Sequence, residues 1–138
     1  MQSKGWFYIV APSQHGHVLT LSNMSYESGI RVELRPNNQG SHQLWYLDEY
    51  GYIINKHSGC VLAVKNITKK KSVEGQNIIQ TSRKNEPAAK EQQWEFVSTD
   101  KENTFRLKLK AIKDYYLIDK QVPSFQLDDS VEWSILYK

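Results

Sequence analysis

A short tryptophan-centred sequence occurs three times and limits the possible folds of this chain more than any other feature. Residues 43–47 read QLWYL, residues 92–97 read QQWEFV, and residues 131–136 read VEWSIL as a weaker third copy. The three tryptophans lie 49 and 39 residues apart. Self-similarity at such spacings indicates a chain built from repeated structural units. The sequence therefore predicts three units that together fill the chain.

The residues ahead of the first two tryptophans repeat as well. Residues 5–10 read GWFYIV and are followed by GHVL at 16–19, while residues 51–54 read GYII and are followed by GCVL at 59–62. Aromatic and β-branched residues favour strands, and glycine with small polar residues favours turns. Each unit is therefore predicted to consist of short β-strands, about four to a unit, which makes the chain an all-β protein.

These Q-x-W triplets, with the G-x-V-L pattern upstream of them, resemble the ricin B-type β-trefoil lectins. The resemblance extends over residues 5–138 and is weakest in the third unit, where Val131 stands in place of the glutamine. It implies a β-trefoil with twelve strands in three pseudo-threefold repeats, in which a six-stranded barrel is capped by three hairpins. We expect one domain over 1–138, with repeats at about 5–48, 49–97 and 98–138.

Size and charge narrow the class of protein further. A chain of 138 residues is one domain by length, and its formal net charge of +3 argues against a dedicated nucleic-acid binder. No apolar run approaches the ~20 residues that would span a bilayer, so membrane insertion is not expected. The first residues lack the apolar segment of a signal peptide, and Cys60 has no second cysteine to pair with. We expect the cytoplasm by default, with non-classical secretion as the alternative.

The resemblance also implies where a sugar would bind. In ricin-type lectins each lobe uses an Asp late in the second strand, an aromatic residue after the third strand and an Asn before the glutamine of Q-x-W. Carbohydrate-binding candidates thus lie in the first and third repeats, whereas the second repeat, with Ala63, Thr81 and Glu91 at these positions, is expected to have lost its standard site. The candidates are Thr20, Arg35, His42 and Gln43 in the first repeat and Asp119 and Asp128 in the third.

The sequence offers little support for catalysis. It contains no nucleophile elbow, no phosphate-binding glycine-rich loop and no His-Glu-x-x-His motif. Asp128 and Asp129 are adjacent and would point to opposite faces of a strand, which does not suit a paired-carboxylate mechanism. His15 and His17 have no third ligand that would suggest a metal. We expect a protein that is not an enzyme and has no cofactor or metal.

Three functions remain open at this stage. The first is a lectin that binds glycans or glycoconjugates. The second is a protein-binding trefoil, such as a protease inhibitor or scaffold, that makes contact through loops 23–29 and 65–75. The third is a binder of anionic glycans through the lysine-rich loop, which contains Lys65 and Lys69 to Lys71.

Overall fold

Short β-strands make up most of the regular structure of this chain. The computed structural model describes residues 2–12, 15–64, 76–85, 90–111, 115–119, 123–126 and 130–138. Within these residues the strands are β1 (Phe7–Val10), β2 (Val18–Leu21), β3 (Val32–Arg35), β4 (Trp45–Leu47), β5 (Ile53–Asn55), β6 (Val61–Val64), β7 (Gln76–Thr81), β8 (Trp94–Ser98), β9 (Thr104–Leu109), β10 (Tyr116–Ile118), β11 (Ser124–Gln126) and β12 (Trp133–Tyr137). Three single-turn 3-10 helices accompany them: η1 (Ser22–Met24), η2 (Ser41–Gln43) and η3 (Lys90–Gln92).

Six of the strands close into a barrel. Strand β1 pairs with β12 and β4, β4 pairs with β5, and β9 pairs with both β8 and β12, all antiparallel. The ring closes between β5 and β8, where Tyr52 forms a bridge with Gln93 and the Trp94 amide donates to the Gly51 carbonyl at 2.7 Å. Closure leaves the barrel without an open sheet edge.

The other six strands form three hairpins: β2–β3, β6–β7 and β10–β11. The hairpins are linked to one another, since β7 pairs with β11 and Arg31 forms a bridge with Ile79. A closed six-stranded barrel with three hairpins is the β-trefoil, so the all-β prediction and the twelve-strand architecture are confirmed.

The three tryptophans lie in the core and report the pseudo-threefold symmetry directly. Trp45, Trp94 and Trp133 are each at most 1% exposed. Their indole Nε1 groups donate to equivalent carbonyl oxygens of the second strand in each unit: Leu19 at 3.0 Å, Leu62 at 2.9 Å and Leu117 at 3.0 Å. A buried indole needs such a partner for its N–H, and these three bonds fix the register of each hairpin against the barrel.

The helical content of the described residues is limited to those single turns. None of these helices has the length or apolar character needed to cross a membrane.

The lysine-rich loop, with Lys65 and Lys69 to Lys71, lies outside the described residues, as does Asp128.

Candidate functional site

A pocket of about 320 Å³ lies over the first hairpin. Strand β2 contributes Thr20, β3 contributes Glu33 and Arg35, and η2 contributes His42, while the η1 turn at 22–24 forms a wall. We call this cavity the first-lobe pocket. It brings together Thr20, Arg35 and His42, three of the residues that the sequence nominated.

Strand alternation explains why β3 presents charge to this pocket. Val32 and Leu34 are buried in the core, so Glu33 and Arg35 project from the other face of the strand. In the antiparallel register Thr20 lies opposite Glu33, and Val18 lies opposite Arg35. Thr20 and Glu33 are therefore direct cross-strand neighbours on the pocket side.

Glu33 and Arg35 form an ion pair at the pocket. Arg35 Nη2 lies 2.6 Å and Nε 3.0 Å from Glu33 Oε2. Partial burial raises the pKa of the Glu33 carboxyl, but hydrogen bonding by Arg35 and Ser22 and the charges of Arg35 and Arg31 together outweigh burial and leave that pKa below its ordinary value. The carboxylate is thus ionised at neutral pH and acts only as a hydrogen-bond acceptor.

Gln43 supports the pocket from below rather than lining it. Its side chain is fully buried, its Nε2 donates to Thr20 Oγ1 at 3.1 Å and to the Pro36 carbonyl at 2.9 Å, and its Oε1 accepts from the Asn38 amide. The Gln43 amide is therefore engaged inside the protein at both its nitrogen and its oxygen, and its contact with a sugar stays a prediction. Its role is to hold Thr20, which in turn donates to the Val18 carbonyl.

His42 lines the same pocket and has one polar atom without a partner. Its Nδ1 is buried and has no hydrogen-bond partner among the described residues. Burial lowers the pKa of His42, and the charge of His57 lowers it further. The ring occupies its position because residue 40 is glycine: a Cβ there would come within 2.5 Å of the imidazole. His42 is thus a neutral group with unused hydrogen-bonding capacity.

A second pocket of about 590 Å³ occupies the equivalent place over the second hairpin. Its Gln92 is held as Gln43 is at two of three bonds, with Nε2 donating to the Ser82 carbonyl and Oε1 accepting from the backbone N–H of Lys84. The third bond goes from Nε2 to Thr81 Oγ1, which lies on β7 at the place of Arg35 rather than of Thr20. Ala63 replaces Thr20, and Glu91 replaces His42 but is paired with Lys84 at 3.0 Å. We call this cavity the second-lobe pocket; its hairpin presents no carboxylate opposite Ala63, since Ile79 lies there.

Comparison with known proteins agrees with the β-trefoil fold. The model of the ricin-type beta-trefoil lectin domain-like family matches residues 41–120. The chain belongs to this ricin-type family. No curated protein matches the chain.

Several solved structures share the fold of this ricin-type domain. The designed threefold-symmetric protein ThreeFoil is 23% identical, with a TM-score of 0.81 over 98% of this chain and 100% of its own. The Macrolepiota procera ricin B-like lectin, solved with lactose, is 17% identical, with a TM-score of 0.70 over 99% of this chain and 98% of its own. The C-half of the earthworm R-type lectin, solved with GalNAc, is 17% identical, with a TM-score of 0.66 over 97% and 99%. At these identities the likeness establishes the fold alone.

The third lobe of this ricin-type domain has a register that differs from the one expected from the sequence. Because Trp133 bonds to the Leu117 carbonyl as Trp45 bonds to that of Leu19, the residue equivalent to Thr20 is Ile118, which is buried. Asp119 lies one residue further along the chain and is half-buried. Asp128 lies outside the described residues, so its role and that of Asp119 stay predictions.

Glu33 is the pocket residue that the sequence reasoning missed. The ricin-type pattern places its acid on the second strand, where this chain has Thr20, and directs attention away from the third strand. The available signal was the alternation of residues 32–35, VELR, which puts Glu33 on the same face as Arg35. Pairing of β2 with β3 then places Glu33 beside Thr20, the position at which the family's acid is missing.

Proposed function

We propose that this chain is a carbohydrate-binding module that holds a sugar in the first-lobe pocket. The observation that carries the proposal is the position of Glu33, which lies opposite Thr20 and is held by Arg35. The family's acidic acceptor is missing from the second strand, and a carboxylate on the neighbouring strand occupies the same wall of the pocket. An acceptor for sugar hydroxyls is therefore retained although its place in the sequence has changed.

The chemistry of the pocket suits a sugar ring. Both Arg35 bonds go to Glu33 Oε2, so Arg35 leaves Oε1 available to accept from a hydroxyl. The Arg35 side chain is 60% exposed, and its flat guanidinium offers both further N–H donors and a face on which the C–H side of a sugar can pack. A cavity of 320 Å³ is at the small end of the usual range of roughly 300–1,000 Å³ for ligand pockets, which fits a single ring.

The first probes follow from the structural neighbours. The Macrolepiota procera lectin was solved with lactose and the earthworm lectin with GalNAc. These neutral sugars are the class with which we would begin for this chain. A neutral ligand also fits the pocket electrostatically, because the charges of Glu33 and Arg35 offset each other.

We further propose that, of the first two lobes, the first binds sugar and the second does not. We also propose that the domain has no catalytic activity. The second-lobe pocket has Ala63 at the acceptor position, and its Glu91 is engaged by Lys84. Among the described residues that line the first-lobe pocket Glu33 is the one carboxylate, whereas glycoside hydrolysis ordinarily requires two. If the third lobe does not bind sugar either, we expect little cell agglutination unless the protein dimerises, since cross-linking needs two sites.

A glycan array at physiological and raised salt tests the proposal. Wild type, Glu33→Gln and Arg35→Ala would be compared with Glu91→Gln, which makes the same substitution at the acid of the second-lobe pocket. We expect salt-resistant binding of neutral glycans that is lost in Glu33→Gln and Arg35→Ala and retained in Glu91→Gln. An array without neutral hits, or with sulfated hits that disappear at raised salt, would contradict the proposal and favour an electrostatic site instead.

A further inference from the structure

Tyr26 is the most exposed large hydrophobic side chain among the described residues. Its side chain lies in the loop between η1 and β3 and is 69% exposed, compared with 44% for Met24 in the same segment. An exposed aromatic residue on a loose loop would need no explanation. The loop around Tyr26, however, is tied down on both sides.

A buried glutamine from the neighbouring lobe holds this loop. Gln80, on β7, is fully buried, and its Nε2 donates to the Ser25 carbonyl at 3.1 Å and to the Glu27 carbonyl at 2.7 Å. Its Oε1 accepts from Ser58 Oγ at 2.7 Å, which fixes the orientation of the amide. The carbonyls on either side of Tyr26 are therefore both bound by one rigid group.

The ring of Tyr26 is held as well. It stacks on the His57 imidazole with ring centroids 4.5 Å apart and an interplanar angle of 30°. His57 Nε2 lies 2.7 Å from the Met24 carbonyl and must donate to it, because a carbonyl oxygen can only accept. One face of Tyr26 is thus covered by His57, and the high exposure of the side chain shows that the other side is open to solvent.

The fixed ring lies in the chain segment that directly follows one wall of the first-lobe pocket. Met24, which His57 contacts, forms part of the pocket wall, and Tyr26 lies two residues along the same segment. His57 is also close enough to His42, on another wall of the pocket, to influence its pKa. The aromatic shelf formed by Tyr26 and His57 is therefore attached, through the Met24 carbonyl, to a wall of the cavity proposed to hold a sugar.

We propose that the Tyr26 ring is a second subsite, which binds the sugar residue next to the one held in the first-lobe pocket. The inference rests on the proposed function and deepens it, since it makes the ligand an oligosaccharide rather than a single sugar. The occupant follows from the chemistry: a flat apolar face beside a polar pocket matches a pyranose ring, whose C–H face packs on an aromatic ring while its hydroxyls stay in water. Because the loop and the ring are held before binding, little conformational entropy is lost when a ligand docks.

Calorimetric titration with a matched pair of sugars tests the second subsite. Galactose and lactose form the first pair, and the monosaccharide that binds best on the array forms a second pair with the longest glycan that ends in it. The variants are Tyr26→Ala, Tyr26→Phe, which keeps the ring, and Tyr50→Ala, which removes a 53% exposed tyrosine from the β4–β5 turn. We expect Tyr26→Ala to weaken oligosaccharide binding about five- to tenfold and to leave monosaccharide binding unchanged. Tyr26→Phe and Tyr50→Ala should both bind like wild type.

The outcomes separate the subsite from the function on which it rests. If wild type binds monosaccharides and Tyr26→Ala binds oligosaccharides as tightly as wild type, the subsite is refuted while the sugar site stands. The subsite is also refuted if Tyr26→Ala weakens both members of a pair equally, since Tyr26 would then act on the first-lobe pocket itself. If wild type binds no glycan, both proposals fail, and a protein partner becomes the better explanation of the shelf.

Discussion

Glu33 Oε2 accepts two hydrogen bonds from Arg35, at 2.6 Å from Nη2 and 3.0 Å from Nε. The two side chains are two residues apart on one strand and share its pocket-facing side. The Arg35 side chain is 60% exposed, and an ion pair so open to water contributes only ~0–1 kcal/mol to stability. The pair therefore adds little to the fold, and the role proposed for it is to present hydrogen-bonding groups to a ligand.

The first prediction separates binding from stability at this pair. Glu33→Gln should lower the free energy of unfolding by less than about 1 kcal/mol, measured by urea denaturation. The same variant should lose at least tenfold in sugar affinity, because a hydrogen bond to a charged acceptor is worth about 1.5–3 kcal/mol. A large loss of stability with unchanged affinity would mean that Glu33 is structural.

The second prediction concerns acid sensitivity through His42. Burial and the charge of His57 lower its pKa from the ordinary 6.5, so the folded protein resists a proton that the unfolded chain accepts. The contribution of His42 to stability is therefore complete above about pH 6.5 and is lost as the pH falls through the lowered pKa. His42→Gln should flatten the dependence of unfolding free energy on pH between 7.5 and 5.

The titration of His42 must be distinguished from that of Glu33 in this experiment. Glu33, whose pKa is also lowered, loses its contribution only as the pH falls below about 4.5, which is outside the window chosen for His42. His57→Gln serves as a second variant, because removing its charge should bring the pKa of His42 closer to its ordinary value. An unchanged pH dependence in His42→Gln would show that other groups govern acid stability here.

The third prediction compares two glycines that both have a positive φ. Gly51 has φ +96° and Gly59 has φ +74°, so alanine at either position is strained by about 1–2 kcal/mol. A Cβ at Gly59 meets nothing within 4 Å, whereas a Cβ at Gly51 would lie 2.8 Å from the Trp94 carbonyl oxygen. Thermal or urea unfolding should show Gly51→Ala to be about 1–3 kcal/mol less stable than Gly59→Ala. Equal losses would mean that the barrel seam between β5 and β8 can open to admit a methyl group.

The fold could be predicted from the sequence because its strongest signals are symmetric. Three tryptophans at similar spacing must occupy equivalent positions, and in the structure each donates to an equivalent carbonyl. Strand bounds were less accessible: the residues ahead of Trp45 and Trp94 form the turns η2 and η3, which polar sequence alone does not distinguish from a strand entry.

The site could be predicted only in part, because its residues no longer follow the family's order. Thr20, Arg35 and His42 do line the first-lobe pocket, as the register set by the glutamine of Q-x-W predicts, and their contact with a sugar stays a prediction. Glu33 was missed because its importance arises from cross-strand pairing with Thr20, which a one-dimensional pattern does not display. The register of the third lobe could not be predicted for a related reason: Val131 stands where the glutamine is expected, and the indole bond from Trp133 to Leu117 sets the register in the structure.

The last prediction addresses Gln80, which connects the second lobe to the loop of Tyr26. Gln80→Leu retains the bulk of the side chain but leaves the carbonyls of Ser25 and Glu27 without their donor. Loss of these buried bonds should cost about 1–3 kcal/mol of unfolding free energy. Amide hydrogen exchange in residues 25–29 should also become faster than in wild type, while exchange in β1 and β12 should change only as far as global stability does.

Lactose affinity should fall in Gln80→Leu by about as much as in Tyr26→Ala, because a mobile ring loses conformational entropy when the sugar binds. Unchanged exchange at 25–29 would mean that the stacking of Tyr26 on His57 is sufficient to order the loop without Gln80.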